Sequence, residues 1–98
     1  MPLPPELLAD PEMEGLRRTF LADGSRNCRG LVDTLETQFD SEKAGQLAGQ
    51  WAASAAHLGF PAIAAAAREL HILMSAESFA RSRLREVMRQ LQEAFAGQ

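Results

Sequence analysis

The stretch that decides the fold is residues 40–61, which read DSEKAGQLAGQWAASAAHLGFP. Asp40 or Ser41 can cap the start of a helix, because its short side-chain oxygen can accept a hydrogen bond from a free N–H of the first turn. Gly59 can end the helix, because glycine adopts the left-handed backbone conformation that often follows a last turn. These two signals predict a helix over residues 41–58.

The sequence outside this helix predicts three more helices. Apolar or small residues recur every three or four positions in each of them, as on the buried face of an amphipathic helix. Pro11 and Pro61 suit the first turn of a helix, where the missing N–H is not needed, and Asp10 and Ser75 can act as N-caps. The four predicted helices are residues 11–38, 41–58, 61–74 and 76–95.

The N-terminal part of the chain leaves two details open. Gly24 and Gly30 each cost about 1 kcal/mol relative to alanine in a helix interior. A kink or a split near Asp23 is therefore an alternative, although the unbroken phase of the apolar positions favours one continuous helix. Residues 1–10 contain three prolines and predict an extended tail or a short helical turn.

The predicted helices indicate the fold class. Valine occurs only at positions 32 and 87 and tyrosine is absent, so no run of alternating β-branched residues indicates a strand. The predicted connections are too short to cross a bundle, so consecutive helices should run antiparallel. We therefore expect an all-α fold, an antiparallel up-and-down four-helix bundle over residues 11–98, with residues 1–10 as an accessory segment.

Composition and charge exclude several classes of function. The chain has 98 residues, 46% of them hydrophobic, which is enough for one buried core. The net charge is −3 and the ten basic residues are scattered, which argues against binding to nucleic acid or to a membrane. Cys28 is the only cysteine, so no internal disulfide can form and a cytoplasmic location is expected. No pattern indicates an enzyme active site, a metal site or a cofactor, and a protein partner is expected instead.

The helix over residues 41–58 has two uncharged faces, since successive residues lie about 100° apart around a helix. One face is expected to pack in the core, and it consists of Leu47, Trp51, Ala55 and Leu58. The other face, called the small-residue stripe below, consists of Gly45, Gly49, Ala52, Ala53 and Ala56. An exposed stripe of this kind predicts contact with another protein. The alternative is that Gly45 and Gly49 allow a neighbouring helix of the same protein to pack closely.

The segment from Leu47 to Gly59, LAGQWAASAAHLG, resembles the signature helix of histidine-containing phosphotransfer domains, the HPt family of phosphorelays. The family pattern is roughly L-A-H-x-L-K-G-S-A-x-x-L-G. Downstream, residues 64–70, AAAAREL, are similar to a small-residue helix of that family that ends in A-R-E-L. The resemblance covers about residues 12–95 and implies the same four-helix bundle.

The chain departs from this family at the two positions that carry the family's chemistry. The phospho-accepting histidine falls on Gly49 and the assisting lysine falls on Ala52, and neither replacement can attack phosphorus or balance a phosphoryl charge. Ala53 takes the place of a family glycine that lets a receiver domain approach, and it keeps most of that clearance. The resemblance therefore implies a non-catalytic adaptor that binds a response-regulator receiver domain or a sensor histidine kinase and modulates two-component signalling.

Two other functions stay open. His57 could be a relocated phospho-acceptor, because neutral imidazole is a nucleophile. It lies about 80° around the helix from Gly49, however, and no lysine stands one turn away. His71 is a weaker candidate of the same kind. The other possibility is a structural bundle that forms a homodimer through the small-residue stripe.

Overall fold

Four α-helices and no β-strand are found in residues 11–98, the part of the chain that the computed structural model describes. The helices are α1 (Pro11–Asp33), α2 (Ser41–Leu58), α3 (Pro61–Ser75) and α4 (Arg81–Ala96). The predicted all-α fold class is confirmed. Asp10 and the predicted N-terminal tail lie outside the described residues.

Local signals set both ends of α2, as predicted. The Asp40 side chain accepts a hydrogen bond of 3.0 Å from the backbone N–H of Lys43, which caps the first turn. Gly59 has a φ of 86°, in the left-handed region, and its N–H donates to the carbonyl of Ala55. Pro61 then stands in the first turn of α3. The helices α2 and α3 therefore follow each other with two residues between them.

The first helix ends earlier than predicted, at Asp33 instead of residue 38. The chain continues as turns whose backbone hydrogen bonds reach the third residue back. The Thr34 hydroxyl donates to the carbonyl of Leu31 at 3.2 Å, which competes with continued helix. Leu35 nevertheless stays buried. The apolar spacing therefore continues past the true end of the helix, and this is why the predicted end is wrong.

The last helix begins later than predicted, at Arg81 instead of residue 76. Ser75 is the final residue of α3, and its hydroxyl donates to the carbonyl of His71 at 2.8 Å. Ala80 holds the N-cap position of α4 without a side-chain hydrogen bond. The prediction that Ser75 caps the last helix is wrong, because a serine hydroxyl near a helix end can also bond to the preceding turn.

Gly24 marks the place where α1 meets α4. The helix runs continuously through it, and a Cβ at this position would lie 2.4 Å from Cε1 of Phe95. The Phe95 ring packs edge-on against Trp51, with ring centroids 5.4 Å apart, and against Phe20 at 5.7 Å. Trp51 is 5% exposed, so its predicted place in the core is confirmed. A side chain at position 24 would therefore require the Phe95 ring to move within the aromatic cluster.

All four helices contribute side chains to one core. Helix α2 contacts α1 and α3, and helix α4 likewise contacts α1 and α3. One exposed ion pair of the described residues, Arg83 with Glu69 at 3.0 Å, links α4 to α3 and contributes at most about 1 kcal/mol. Residues 11–98 together measure 54 × 21 × 19 Å. Within this part of the chain, none of the helices combines the length and apolar character that crossing a bilayer requires.

Candidate functional site

The buried side of α2 determines where the rest of the helix points. Its buried residues are Ala44, Ala48, Trp51, Ala55 and Leu58, and Leu47 packs half-buried at the edge of the core. The predicted core face is thus confirmed, with Ala44 and Ala48 added to it. At about 100° per residue, Ala53 points almost directly away from this core. The exposed crest of α2 consists of Gln46, Gln50, Ala53, Ala56 and His57.

Two members of the small-residue stripe, Gly45 and Gly49, lie against α3. A Cβ at position 45 would stand 3.4 Å from Cβ of Met74, and one at position 49 would stand 3.3 Å from the His71 imidazole. His71 Nδ1 donates to the carbonyl of Gly45 at 3.2 Å, since a carbonyl oxygen can only accept. Close packing within the protein, the alternative interpretation of this pair, therefore accounts for both glycines. Gly49 is half-buried, whereas the sequence predicted an exposed glycine.

Ala53 lines an apolar groove between α1 and α2. Its volume is about 480 Å³, and its lining consists of Leu16, Thr19, Phe20, Ala53, Ser54, His57 and Leu58. Leu16 is 57% exposed. A single exposed leucine is ordinary, but beside Ala53 and the half-buried Phe20 it forms a contiguous apolar surface. Arg17 Nε donates to the carbonyl of Leu58 at 2.9 Å and holds α1 against the end of α2.

Ala56 lines a second hollow on the opposite flank of α2. This hollow has a volume of about 370 Å³ and is lined by Ala56, Gly59, Phe60, Pro61, Ala64, Ala65 and Arg68. Ala52, the remaining member of the small-residue stripe, is half-buried and packs on the core. The stripe is therefore divided among four surroundings, of which the core is one. Gly45 and Gly49 contact α3, Ala53 faces the groove beside α1, and Ala56 faces the hollow beside α3.

The two histidines are not brought together. His57 is exposed at the end of α2 and lines the α1–α2 groove, and no described residue orients its ring by a hydrogen bond. His71 lies over Gly49, which is eight residues before His57 and therefore about 12 Å away along the helix axis. In residues 11–98, no three His, Cys, Asp or Glu side chains are grouped so that they could hold a metal ion.

Cys28 lies inside the protein and lines neither the groove beside Ala53 nor the hollow beside Ala56. It is fully buried in α1. Burial raises the pKa of its thiol to about 11. The thiol is therefore protonated at neutral pH, and it packs as a small apolar side chain.

Charge is distributed unevenly over the surface. Residues 44–67 contain no Asp, Glu, Lys or Arg. Ion pairs gather on α4, where hydrogen bonds from Arg85 to Glu36 and from Arg89 to Glu86 lower the pKa of each carboxyl. After Glu42 and Lys43 in the first turn of α2, the rest of α2 and the first half of α3 carry no formal charge until Arg68.

Sequence reasoning placed the candidate site on α2 alone and missed the residues that flank it. These are Leu16 of α1 and Arg68 of α3, while His71 of α3 was considered only as a weaker phospho-acceptor and not as a neighbour of Gly49. Helical periodicity shows which residues share a face, but it does not show which side chains of other helices stand beside that face. Two features of the sequence extended onto α3, the charge-free run of residues 44–67 and the similarity of residues 64–70 to the family helix that ends in A-R-E-L.

Comparison with known proteins gives no match to a family model, to a curated protein or to a solved structure.

Proposed function

We propose that this protein is a non-catalytic, HPt-like adaptor that binds a response-regulator receiver domain or a sensor histidine kinase and modulates two-component signalling. The observation that carries the proposal is the exposed crest of α2, where Ala53 points away from the core beside an apolar groove. The resemblance of residues 47–59 to the HPt signature supports it, because Ala53 stands where that family lets a receiver domain approach. Ala53 and Ala56 carry short side chains between the longer Gln46, Gln50 and His57, and they leave room on the crest for a partner's helix.

The proposal includes an antiparallel up-and-down arrangement of the four helices. Helices α2 and α3 are joined by two residues, and each of the four helices contacts two others. Such a bundle requires both features. Phe20 of α1, Trp51 of α2 and Phe95 of α4 meet in the core, which supports a single bundle over residues 11–98.

The proposed adaptor does not accept a phosphoryl group. Gly49 and Ala52 offer neither a nucleophile nor a cation at the positions that are reactive in the HPt family. His57 is exposed, but no described group orients its ring. The protein would therefore act by occupying its partner's surface. We place it in the cytoplasm, where the unpaired Cys28 stays reduced.

The test is the binding of purified receiver domains and sensor kinases from the same organism to the wild type and to Ala53→Arg. The arginine would project a long charged side chain into the contact and bury it without a partner. This should cost about 3 kcal/mol of binding, or roughly a hundredfold in Kd. Because Ala53 is exposed, the free energy of unfolding should change by less than about 0.5 kcal/mol.

A matched control is Ala22→Arg. Ala22 is an exposed alanine inside α1 that does not line the groove. This variant should leave both binding and stability unchanged. Unchanged affinity in Ala53→Arg would mean that docking occurs elsewhere, and unfolding of that variant would mean that the crest is part of the core. A dimer of the wild type that Ala53→Arg dissociates would favour the self-associating bundle.

A further inference from the structure

The surface where α2 meets α3 lacks free carboxylates, although the protein as a whole is acidic. The net charge is −3, yet residues 44–67 contain no charged side chain. On α3, Glu69 is engaged by Arg83 of α4 at 3.0 Å. On α2, Glu42 lies about 21 Å along the helix from Ala56, although only one turn before Gly45, to whose carbonyl His71 bonds. An acidic group of a partner would therefore meet no free carboxylate in the part of this surface around Ala56.

Arg68 is a cation without an ion pair among residues 11–98. It is exposed on α3 and lines the apolar hollow together with Ala56. A guanidinium at the edge of such a hollow can bind a carboxylate through two parallel hydrogen bonds, while the hollow takes an apolar side chain. The arginines that are paired with an acid are Arg17, Arg26, Arg83, Arg85 and Arg89. Arg68 is thus available where most other arginines are engaged.

His71 continues the surface one turn beyond Arg68. Its Nδ1 donates to the Gly45 carbonyl at 3.2 Å, which fixes the ring against α2, and Nε2 has no partner among the described residues. Ile72 adds an apolar side chain that is 63% exposed. The ring of His71 lies close over Gly49 and is itself exposed, so a partner's helix at this part of the surface would meet the imidazole and not the glycine.

We propose that this surface binds an acidic amphipathic helix of the partner protein. It is called the α2–α3 surface below and consists of Ala56, Ala65, Arg68, His71 and Ile72. Arg68 pairs with a carboxylate of the partner helix, and the hollow beside Ala56 takes an apolar side chain one turn away from that carboxylate. The inference rests on the proposed function and names the chemistry that the partner must present.

The experiment is a selection from a displayed library of helical peptides on the full chain, which does not depend on knowing the natural partner. The selected peptides should carry Asp or Glu one turn from Leu or Phe. They should bind Arg68→Glu at least about tenfold more weakly than the wild type, because an attraction becomes a repulsion. The control Arg18→Glu changes an exposed arginine of α1 that has no ion pair in the described part of the chain, and it should alter affinity by less than about twofold.

Several results would overturn the inference. Selected peptides without acidic residues, or with equal affinity for Arg68→Glu, would show that Arg68 plays no part. A natural partner could lose binding in Ala53→Arg and keep it in Arg68→Glu. That result would agree with docking on the crest of α2 and would contradict an acidic helix bound at Arg68. Acidic peptides selected through Arg68, with no binding to any receiver domain or kinase, would instead count against the proposed function alone. A wild-type dimer dissociated by Arg68→Glu, or acid-labile phosphate on His71, would assign the surface a different role.

Discussion

Substitution of Gly24 by alanine should destabilise the protein, although the same change stabilises most helix interiors. Alanine gains about 1 kcal/mol over glycine from helix propensity. Against this gain, the new Cβ would lie 2.4 Å from Cε1 and 2.6 Å from Cζ of Phe95. Carbon atoms in contact are normally about 3.5–4.0 Å apart, so the ring would have to move by about 1 Å. The sign of the effect depends on the cost of that movement.

Phe95 cannot move freely, because other aromatic rings pack on it. Its centroid lies 5.4 Å from that of Trp51 and 5.7 Å from that of Phe20. Each such pair contributes about 0.5–1.5 kcal/mol beyond the burial of its area, and overpacking of a core typically costs about 1–3 kcal/mol. A cost of about 2–3 kcal/mol outweighs the propensity gain. We therefore expect Gly24→Ala to lower the free energy of unfolding by about 1–2 kcal/mol.

Urea unfolding followed by circular dichroism measures this difference, and Gly30→Ala is the control. Gly30 lies in the same helix, and a Cβ added there would have nothing within 4 Å, so its substitution should stabilise the protein by up to about 1 kcal/mol. In a Phe95→Leu background the two glycine variants should differ less. Equal stability of Gly24→Ala and Gly30→Ala in the natural background would refute the reasoning, since Phe95 would then not press on Gly24.

Two further predictions concern the core. Trp51→Ala should lower the free energy of unfolding by about 3–5 kcal/mol, because the ring is almost fully buried, and a loss below about 1 kcal/mol would mean that α2 is rotated. Burial raises the pKa of the Cys28 thiol from 9.0 to about 11, so the folded protein keeps a proton that the unfolded chain releases. The free energy of unfolding should therefore fall as pH rises from about 9 to about 11, and Cys28→Ala should remove that part of the slope. An identical slope in the variant would contradict this assignment.

The features that the sequence predicts correctly depend on chemistry within one helical turn. Asp40, Gly59 and Pro61 act through their own side chains or backbone angles, and the structure has all three where the sequence places them. The end of α1 at Asp33 and the start of α4 at Arg81 were not predicted correctly. Leu35 stays buried in turns that follow α1, so apolar spacing alone cannot distinguish those turns from helix.

The candidate site was predicted in part because it depends on contacts between helices. The exposure of Ala53 follows from the periodicity of α2, since its core residues fix the opposite direction. The covering of Gly49 by His71 does not follow from the periodicity of α2. His71 belongs to another helix, and it bonds to a carbonyl 26 residues earlier in the chain. Leu16 shares the three- and four-residue spacing of the apolar positions of α1, which predicts an inner position, but the structure leaves it exposed beside the groove.

The central claim is that the protein keeps the docking surface of an HPt domain but lacks its phospho-accepting histidine and assisting lysine. The most direct test is to restore these two side chains and to measure acid-labile phosphate on the protein. The variant combines Gly49→His and Ala52→Lys with His71→Ala, because the natural His71 ring stands 3.3 Å from where a Cβ at position 49 would lie. After incubation with a phosphorylated receiver domain that binds the wild type, this variant should retain phosphate that is stable at neutral pH and lost in acid. The wild type should retain none. A folded variant that binds the receiver domain without accepting phosphate would contradict docking in the proposed geometry, and phosphate on the wild type that disappears in His57→Ala would contradict a non-catalytic adaptor.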